Sequence, residues 1–332
     1  ANAKLTANIE DNKNVLAADG SLNEGDYRVW TPIGTEDAAY TGTFDGADHT
    51  ISGLYFNNDS VEYVGLIGFA GDAAKVEKLG IVNSYFCGAD YVGGIAGQIK
   101  YVDSSYNAAT IIGNNYVGGI AGWISMGGTV SDCYNTGKVN GNCEVGGIIG
   151  GGSSVAMMRL WNSGDVSGNH KIGGIIGYVY NGSTYYCYNT GSITGETCVA
   201  GMIGHLQYNG GPKYCYNAGT VRGKTYVGGL MGFGEAQYDN WIHIENCYNI
   251  GQVVGEEGTA GVGGILGYTY PALQDNHSNN YYLEGTAPIG IGGMTVDASG
   301  VMAVMSEDQF ASGEVAYLLA NGKTFWGQNI DN

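Results

Sequence analysis

Apolar residues and glycines recur along most of the chain in one short unit, a branched apolar residue followed by two glycines and a second apolar residue. The fullest copy is Val145-Gly146-Gly147-Ile148-Ile149-Gly150. Related copies, the first of them shortened, begin at Val64, Val92, Val117, Ile172, Val199, Val227 and Val262. From Val64 onward the steps are 28, 25, 28, 27, 27, 28 and 35 residues. A period of this size predicts a stacked-repeat architecture.

Each repeat contains three short strand-like pieces rather than helices. In the repeat that ends at Gly150 they are Ser131–Asn135, Lys138–Asn140 and Val145–Ile149, with Thr-Gly and Gly-Asn turns between them. Apolar residues do not recur at helical spacing over a useful length. We therefore expect an all-β fold, a single-stranded parallel β-helix that is right-handed, with about 28-residue rungs that rise about 4.8 Å each.

Stacking such rungs places like residues above one another in columns. A β-branched column, expected to point inward, is Ile111, Val139, Val166, Ile193, Val221 and Val253, with Phe86 before it. A second inward column is Ser105, Cys133, Leu160, Cys187, Cys215 and Cys247. A third is Asn107, Asn135, Asn162, Asn189, Asn217 and Asn249, whose amides can link one rung to the next. The apolar residues on either side of the glycine pair are three positions apart, and they cannot share one face of a straight strand. We therefore expect the strand to bend at the two glycines.

The ends of the chain depart from the repeat. Residues 1–60 predict an N-terminal capping segment and first coil, 61–270 the repeats, and 271–332 a degraded last coil with a C-terminal capping helix or junction. Ser306 and Gln309 have the spacing of a helix N-cap, and Phe310 to Leu319 has helical spacing.

Composition and charge exclude several classes of protein. Sixty glycines among 332 residues accompany 44% apolar residues, which favours an ordered backbone over a flexible tract. A net charge of −18 with only 13 scattered Lys and Arg excludes a nucleic-acid surface. No apolar run is long enough to insert into a membrane. The chain begins at Ala1 without a secretory segment, so we expect a mature or excised piece.

The repeated unit Val-Gly-Gly-Ile-x-Gly, paired with Cys-Tyr-Asn-Thr-Gly-x-Val-x-Gly, resembles the GLUG-repeat proteins, which are bacterial surface and secreted proteins. The repeat is also found in IgA-specific metallopeptidases. The resemblance covers roughly residues 25–330 and implies a β-helical, extracellular, modular context. It implies no catalytic residues, since fold and repeat do not determine activity.

Cysteine and histidine give no sign of a metal or catalytic centre. The seven cysteines include no C-x-x-C pair, and four of them share the inward column, so we interpret them as small buried apolar residues; the sequence does not decide between thiols and a disulfide. The five histidines fall at different places in the repeat, which favours surface or turn positions, and there is no H-E-x-x-H. We expect no cofactor; structural calcium is left open but not indicated.

The strongest functional signal is aromatic. One column is Tyr106, Tyr134, Trp161, Tyr188, Tyr216 and Tyr248. A second set, just before the Val-Gly-Gly unit, includes Tyr91, Tyr116 and Tyr226, with Tyr63 before them. If these rings face water, they form a stripe suited to a glycan or a host surface protein. The alternative is that the rings stack on one another and shield the sheet.

We therefore expect a non-catalytic, monomeric module of a larger secreted or cell-surface bacterial protein, used for adhesion or as a rigid spacer. One alternative is a carbohydrate-active enzyme, a polysaccharide lyase or glycoside hydrolase, which would need carboxylates and a basic residue in one groove. The sequence offers one such pair, Asp132 and Arg159, on neighbouring rungs. Another alternative is a substrate-positioning module of an IgA-cleaving protease.

Overall fold

In a computed structural model, the chain is a parallel β-solenoid, which confirms the expected fold class. The structure describes residues 1–236, 242–256, 261–270, 277–294, 302–320, 322 and 326. The strand pairs that join one rung to the next are parallel, as between Val139 and Val166 or between Val166 and Ile193. Most keep one register throughout, and a few shift register at an irregularity within the pair. Residues about 28 apart in sequence therefore lie side by side.

Within the described residues the strands form two sheets, of 26 and seven strands. The larger sheet contains β1 (Ala3–Lys4), β2 (Ile9–Glu10), β3 (Thr43–Ser52), β4 (Tyr55–Asn57), β5 (Ile67–Phe69), β6 (Lys75–Cys87), β8 (Ala96–Asp103), β9 (Tyr106–Ile112), β11 (Ala121–Ser131), β12 (Tyr134–Asn135), β13 (Val139–Asn140), β15 (Ile149–Met158), β16 (Trp161–Asn162), β17 (Val166–Ser167), β19 (Ile176–Tyr185), β20 (Tyr188–Asn189), β21 (Ile193–Thr194), β23 (Ile203–Lys213), β24 (Tyr216–Asn217), β25 (Val221–Arg222), β27 (Met231–Ala236), β28 (Tyr248–Asn249), β29 (Val253–Val254), β31 (Leu266–Tyr270), β32 (Asn280–Leu283) and β33 (Met302–Met305). The smaller sheet contains β7 (Val92–Gly93), β10 (Asn115–Gly118), β14 (Cys143–Gly146), β18 (His170–Gly173), β22 (Thr197–Ala200), β26 (Thr225–Gly228) and β30 (Val262–Gly263).

The predicted β-branched column is the inner wall of the core. Phe86 pairs with Ile111, Ile111 with Val139, and the register continues to Val253. Every member is at most 5% exposed. These side chains belong to one apolar cluster that extends from Leu5 to Met302. Burial of such side chains, worth about 1.5–3 kcal/mol each, is the main force that holds the rungs together.

The asparagine column is buried and forms a continuous amide ladder, as expected. Each Nδ2 donates to the Oδ1 of the asparagine on the following rung, at 2.8–2.9 Å from Asn107 through Asn249. The same Nδ2 also donates to the carbonyl two residues later in its own turn, for example from Asn162 to Gly164 at 2.8 Å. The ladder satisfies the corner backbone that the parallel strands leave unpaired.

The predicted bend at the glycine pair is present. β10 ends at Gly118, the chain bends at Gly119, and β11 begins at Ala121. A Cβ on Gly119 would lie 2.2 Å from the Gly147 carbonyl oxygen and 2.6 Å from the Asn135 side chain. The second glycine of the pair therefore leaves room for the asparagine ladder.

The cysteine column also connects rungs by hydrogen bonds. The Cys187 thiol donates to the Tyr185 carbonyl at 3.2 Å and accepts the Leu160 backbone N–H at 3.4 Å. Ser105 does the same with its hydroxyl, donating to Asp103 and accepting from Leu79. A thiol at this position therefore replaces a serine hydroxyl as a link between rungs, beyond the apolar role that we expected.

The N-terminal segment pairs directly onto the first full rung. β1 and β2 both pair with β3. The loop between them and β3 folds back along the side of the solenoid, where the Leu16 N–H donates to Asn83 and the Thr110 hydroxyl donates to the Gly20 carbonyl at 2.6 Å.

The C-terminal helical segment differs from the prediction in one respect. Ser306 and Gln309 form the expected capping box, with both reciprocal hydrogen bonds present. The single helix expected over Phe310–Leu319 is instead two, α1 (Glu307–Ala311) and α2 (Glu314–Ala320). Gly313, at φ 83°, breaks the helix between them. Neither helix in the described part of the chain is long and apolar enough to cross a membrane.

Candidate functional site

The first aromatic column is one continuous stack of rings on the outside of the solenoid. Its members are Tyr106, Tyr134, Trp161, Tyr188, Tyr216 and Tyr248. Successive ring centroids are 4.7, 4.3, 5.9, 5.0 and 5.0 Å apart, and successive planes differ by at most 5°. Every ring is partly buried. Parallel rings at this spacing cover each other's faces, so solvent reaches the ring edges.

Both ends of this column are closed. Gly80 is in register with Tyr106, and a Cβ on Gly80 would lie 2.4 Å from the Tyr106 ring. At the other end Tyr248 contacts Trp326 and Phe310, with centroids 5.3 and 5.9 Å apart. Burial raises the pKa of Tyr248 well above its usual value. The geometry supports the interpretation of these rings as a shield for the sheet, and ligand binding by the column stays a prediction.

The second aromatic set is continuous only at its N-terminal end. Tyr63, Tyr91 and Tyr116 stack with centroids 4.7 and 4.9 Å apart. Tyr226 lies several rungs away and instead contacts Phe233 and Tyr268, at 5.3 and 5.0 Å. The structure therefore brings Tyr91 and Tyr116 together and places Tyr226 in a separate group.

Polar side chains interrupt this second set between Tyr116 and Tyr226. The residues at the equivalent corner positions are Glu144, Lys171 and Cys198. The Lys171 ammonium is 2.6 Å from Glu144 Oε1 and 4.8 Å from the centroid of the Tyr178 ring. Glu144 is buried and Lys171 is half-buried. The pair replaces ring stacking with an ion pair that also contacts a ring face.

Burial and charge shift the pKa values of Lys171, Cys198 and the nearby His205 away from neutral pH. Burial works against the Lys171 ammonium, but Glu144 outweighs it and raises the lysine pKa. Burial raises the pKa of the Cys198 thiol to about 12. Burial, with a smaller contribution from Lys171, lowers the pKa of His205 to about 4. None of these three groups is poised to exchange a proton at neutral pH.

The histidines only partly follow the expectation of surface or turn positions. His170 is exposed. His205 and His277 are 9% and 4% exposed, so the expectation is wrong for these two residues. His205 packs between the rings of Tyr178 and Phe233, and the Ile244 N–H donates to His277 Nδ1 at 3.1 Å. His205 is therefore buried by rings on the two adjacent rungs.

The predicted charge pair is present, as Arg159 Nε and Nη2 donate to the two oxygens of Asp132 at 2.5 and 2.6 Å. Hydrogen bonding from Arg159 lowers the pKa of Asp132. A second group of charges lies on another face, where the N-terminal loop crosses the solenoid. Asp19, Lys138 and Asp165 line a cleft of about 450 Å³ there. Hydrogen bonds from Ser21 lower the pKa of Asp19, and Lys138 contributes to the same shift.

The cysteines show neither disulfides nor a metal arrangement in the described part of the chain. All seven are free thiols, and the four of the inward column are buried. Burial raises the pKa of Cys133 to about 12. Within the described ranges, His, Cys, Asp and Glu side chains do not gather into a group that could hold a metal ion.

Among the aromatic pairs that the sequence did not predict, one lies at a break in the repeat. Tyr180 and Tyr208 stack with centroids 5.2 Å apart, outside both predicted columns. The sequence signal for this pair is an irregularity. β23 contains one residue more than β19 between paired positions, and its second half includes Gly210, Gly211 and Pro212.

Comparisons with known proteins support the repeat assignment. The GLUG motif model matches residues 113–140 and 168–194, so the chain contains GLUG repeats. Halomucin from Haloquadratum walsbyi is 33% identical over 97 residues, which is 28% of this chain and only 1% of halomucin. The chain therefore matches a very small part of that protein. A crystal structure of a candidate immunoglobulin A1 protease from Bacteroides ovatus aligns with 97% of this chain and 81% of its own, at 17% identity and a TM-score of 0.43.

Proposed function

We propose that this GLUG-repeat β-helix is a non-catalytic, rigid module of a larger bacterial protein that is secreted or held at the cell surface. It serves as a spacer that sets the distance between the parts of that protein or presents a binding surface to a glycan or host protein. The resemblance of its repeats to those of bacterial surface and secreted proteins supports this location.

The observation that carries the proposal is the continuity of the links between rungs. The apolar cluster from Leu5 to Met302 has no break, and the amide ladder from Asn107 to Asn249 runs parallel to it. Closely packed interiors do not deform continuously. A body held by such links along its axis keeps its length under load, which is what a spacer requires.

Two charge pairs and the rings of the first aromatic column are engaged in contacts within the solenoid. Lys171 is paired with Glu144, and Arg159 with Asp132. The ring faces of the Tyr106 column are covered by neighbouring rings. These contacts favour a structural role for both groups over catalysis or face-on stacking with sugars.

The cleft beside the N-terminal loop favours a second candidate, a carbohydrate-active enzyme. It brings two carboxylates, Asp19 and Asp165, near Lys138 in one groove, the arrangement that a polysaccharide lyase or hydrolase would need. The lowered pKa of Asp19 suits a base or a nucleophile and not an acid. An accessory role beside an IgA-cleaving peptidase stays a prediction.

An activity assay separates the two candidates. The chain is incubated with a panel of neutral and acidic polysaccharides, and new reducing ends and unsaturated products are measured over time. We expect no release above a protein-free control. Release that Asp165→Asn abolishes, while the matched variant Asp132→Asn keeps it, would contradict the non-catalytic proposal and assign the cleft as an active site.

A further inference from the structure

Two tyrosines outside the predicted columns form a ring pair on which no ring of the described residues stacks further. The Tyr180 and Tyr208 ring planes differ by 18° at a centroid distance of 5.2 Å. Tyr180 is 38% exposed, and Tyr208 is half-buried. Tyr180 is in register with Ser153 on one side, and Tyr208 with Ala236 on the other. Neither of these two in-register neighbours carries a ring, so among the described residues no ring stacks on the outer faces of the pair, in contrast to the Tyr106 column.

A local departure from the repeat builds this pair. The register moves from Tyr180 opposite Gln207 to Gly182 opposite Gly210, so β23 bulges by one residue. At the bulge Tyr208 adopts φ 89°, a conformation that costs free energy for a bulky side chain. Bulges re-aim side chains and are over-represented next to active sites. Here the bulge turns the Tyr208 ring against Tyr180.

Two amide residues adjoin the pair along the chain, since Gln207 precedes Tyr208 and is in register with Tyr180, and Asn209 follows Tyr208. Gln207 Oε1 accepts a hydrogen bond from the Tyr178 hydroxyl at 2.7 Å, which leaves the amide NH₂ group to donate elsewhere. Asn209 lies in the bulge itself, half-buried. An aromatic face attracts the C–H groups of a sugar ring, while amides both donate to and accept from its hydroxyls. A few polar groups beside an apolar surface are typical of small-ligand sites.

We propose that the Tyr180–Tyr208 pair binds a neutral hexose ring of a glycan. Two tyrosines supply about 150–250 Å² of surface each, well below the roughly 800 Å² per partner of a stable protein interface. The net charge of −18 opposes acidic glycans. This site goes beyond the spacer role and does not depend on it.

The test is affinity gel electrophoresis of the chain in soluble neutral glucan, mannan and galactan. At least one of these polysaccharides should slow the migration of the wild-type chain. Tyr180→Ala should weaken that binding at least tenfold, and Tyr180→Phe should retain it. Tyr208→Gly relieves the positive φ, so its melting temperature should equal or exceed that of the wild type while binding falls at least tenfold. Tyr317→Ala, at a tyrosine 79% exposed on α2, is the matched control and should bind normally.

Two outcomes would overturn the proposal. Either the wild-type chain is retarded by none of the three neutral polysaccharides, or Tyr180→Ala and Tyr208→Gly bind as the wild type does. Each leaves the spacer role unaffected. Conversely, release of product from a bound glycan would contradict the non-catalytic proposal without affecting this site.

Discussion

A single asparagine shows how one side chain holds neighbouring rungs in register. Asn162 donates to Asn189 at 2.9 Å and to the Gly164 carbonyl at 2.8 Å, and it accepts from Asn135 at 2.8 Å. It is fully buried. A buried amide that lacks these partners costs about 1–3 kcal/mol, so each asparagine selects the in-register arrangement over any slipped one.

The buried histidines make stability depend on pH. His205 and His277 have folded-state pKa values of about 4 because burial disfavours the charged form, against about 6.5 in an unfolded chain. For His205 burial outweighs the Glu235 carboxylate 3.6 Å away. Between pH 6.5 and pH 4 the unfolded chain therefore binds more protons, and the free energy of unfolding falls as pH falls. Below about pH 4 these two residues add no further loss.

The measurement is urea denaturation at pH 7 and pH 5. His205→Phe, which keeps a ring between Tyr178 and Phe233, should remove about 2 kcal/mol of the loss between these pH values. His170→Asn, at an exposed histidine, should leave the loss unchanged. An equal pH dependence in the wild type and His205→Phe would show that His205 titrates normally in the folded state.

At the scale of the element, the two glycines of each bend have different roles. A Cβ on Gly146 would meet the Ile149 carbonyl oxygen of its own turn, and Ala200 occupies the same position in another rung. A Cβ on Gly147 would meet Gly174 of the next rung at 2.2 Å and the Asn162 side chain at 2.5 Å. The contact at Gly146 is the shorter, at 1.9 Å, but Ala200 shows that a methyl is accommodated at that position in another rung, whereas a methyl at Gly147 would meet both the next rung and the ladder side chain.

The shortened first copy of the repeat supports a coupling between the second glycine and the ladder asparagine. Leu66 occupies the place of the second glycine there, and Ile81 occupies the place of the ladder asparagine, in register with Asn107. An apolar residue replaces the glycine in the rung where the amide is missing. The glycine and the asparagine thus form one packing unit.

We predict that Gly147→Ala destabilises the chain by about 1–3 kcal/mol more than Gly146→Ala. In an Asn162→Ala background the cost of Gly147→Ala should shrink, because the colliding side chain is gone. Chemical denaturation of the four variants and the wild type measures both effects. Equal costs for the two glycines, or additive costs in the double variant, would disagree with the coupling.

Elements that repeat were predictable from sequence, and elements that break the repeat were not. The Val139 column, the asparagine ladder and the glycine bend follow from periodicity, since in-register stacking repeats every contact. The bulge at Tyr208 and the break at Gly313 each depend on a local backbone choice. A single sequence gives little indication of where such a local change in backbone conformation occurs. The Tyr180–Tyr208 pair was missed for the same reason.

At the scale of the whole molecule, the stacked rungs favour a structural role for the aromatic columns over a ligand-binding role. The sequence predicts rings about 4.8 Å apart along the axis, and the observed centroids agree, from 4.3 to 5.9 Å in the Tyr106 column. Their parallel planes could not be inferred from spacing, because side-chain rotamers decide whether a ring shows its face or its edge. Stacked rings stabilise the body and leave little face for a ligand.

The axis of the solenoid is defined by one register path. It runs from Ile9 through Ile51 and Ile81 to the asparagine ladder, and then through Tyr282 to Val304. At about 4.8 Å per step this path is about 50 Å long. A chain that keeps this length in solution can act as a spacer.

Small-angle X-ray scattering of the chain in dilute solution tests this rigidity most directly. We predict the profile of one elongated particle with an axis of about 50 Å, a pair-distance distribution with an extended tail, and a Kratky curve that returns to the baseline. The profile should be reproduced by the single structure. A spherical profile, or a Kratky curve that stays raised and requires an ensemble of bent shapes, would contradict the rigid spacer.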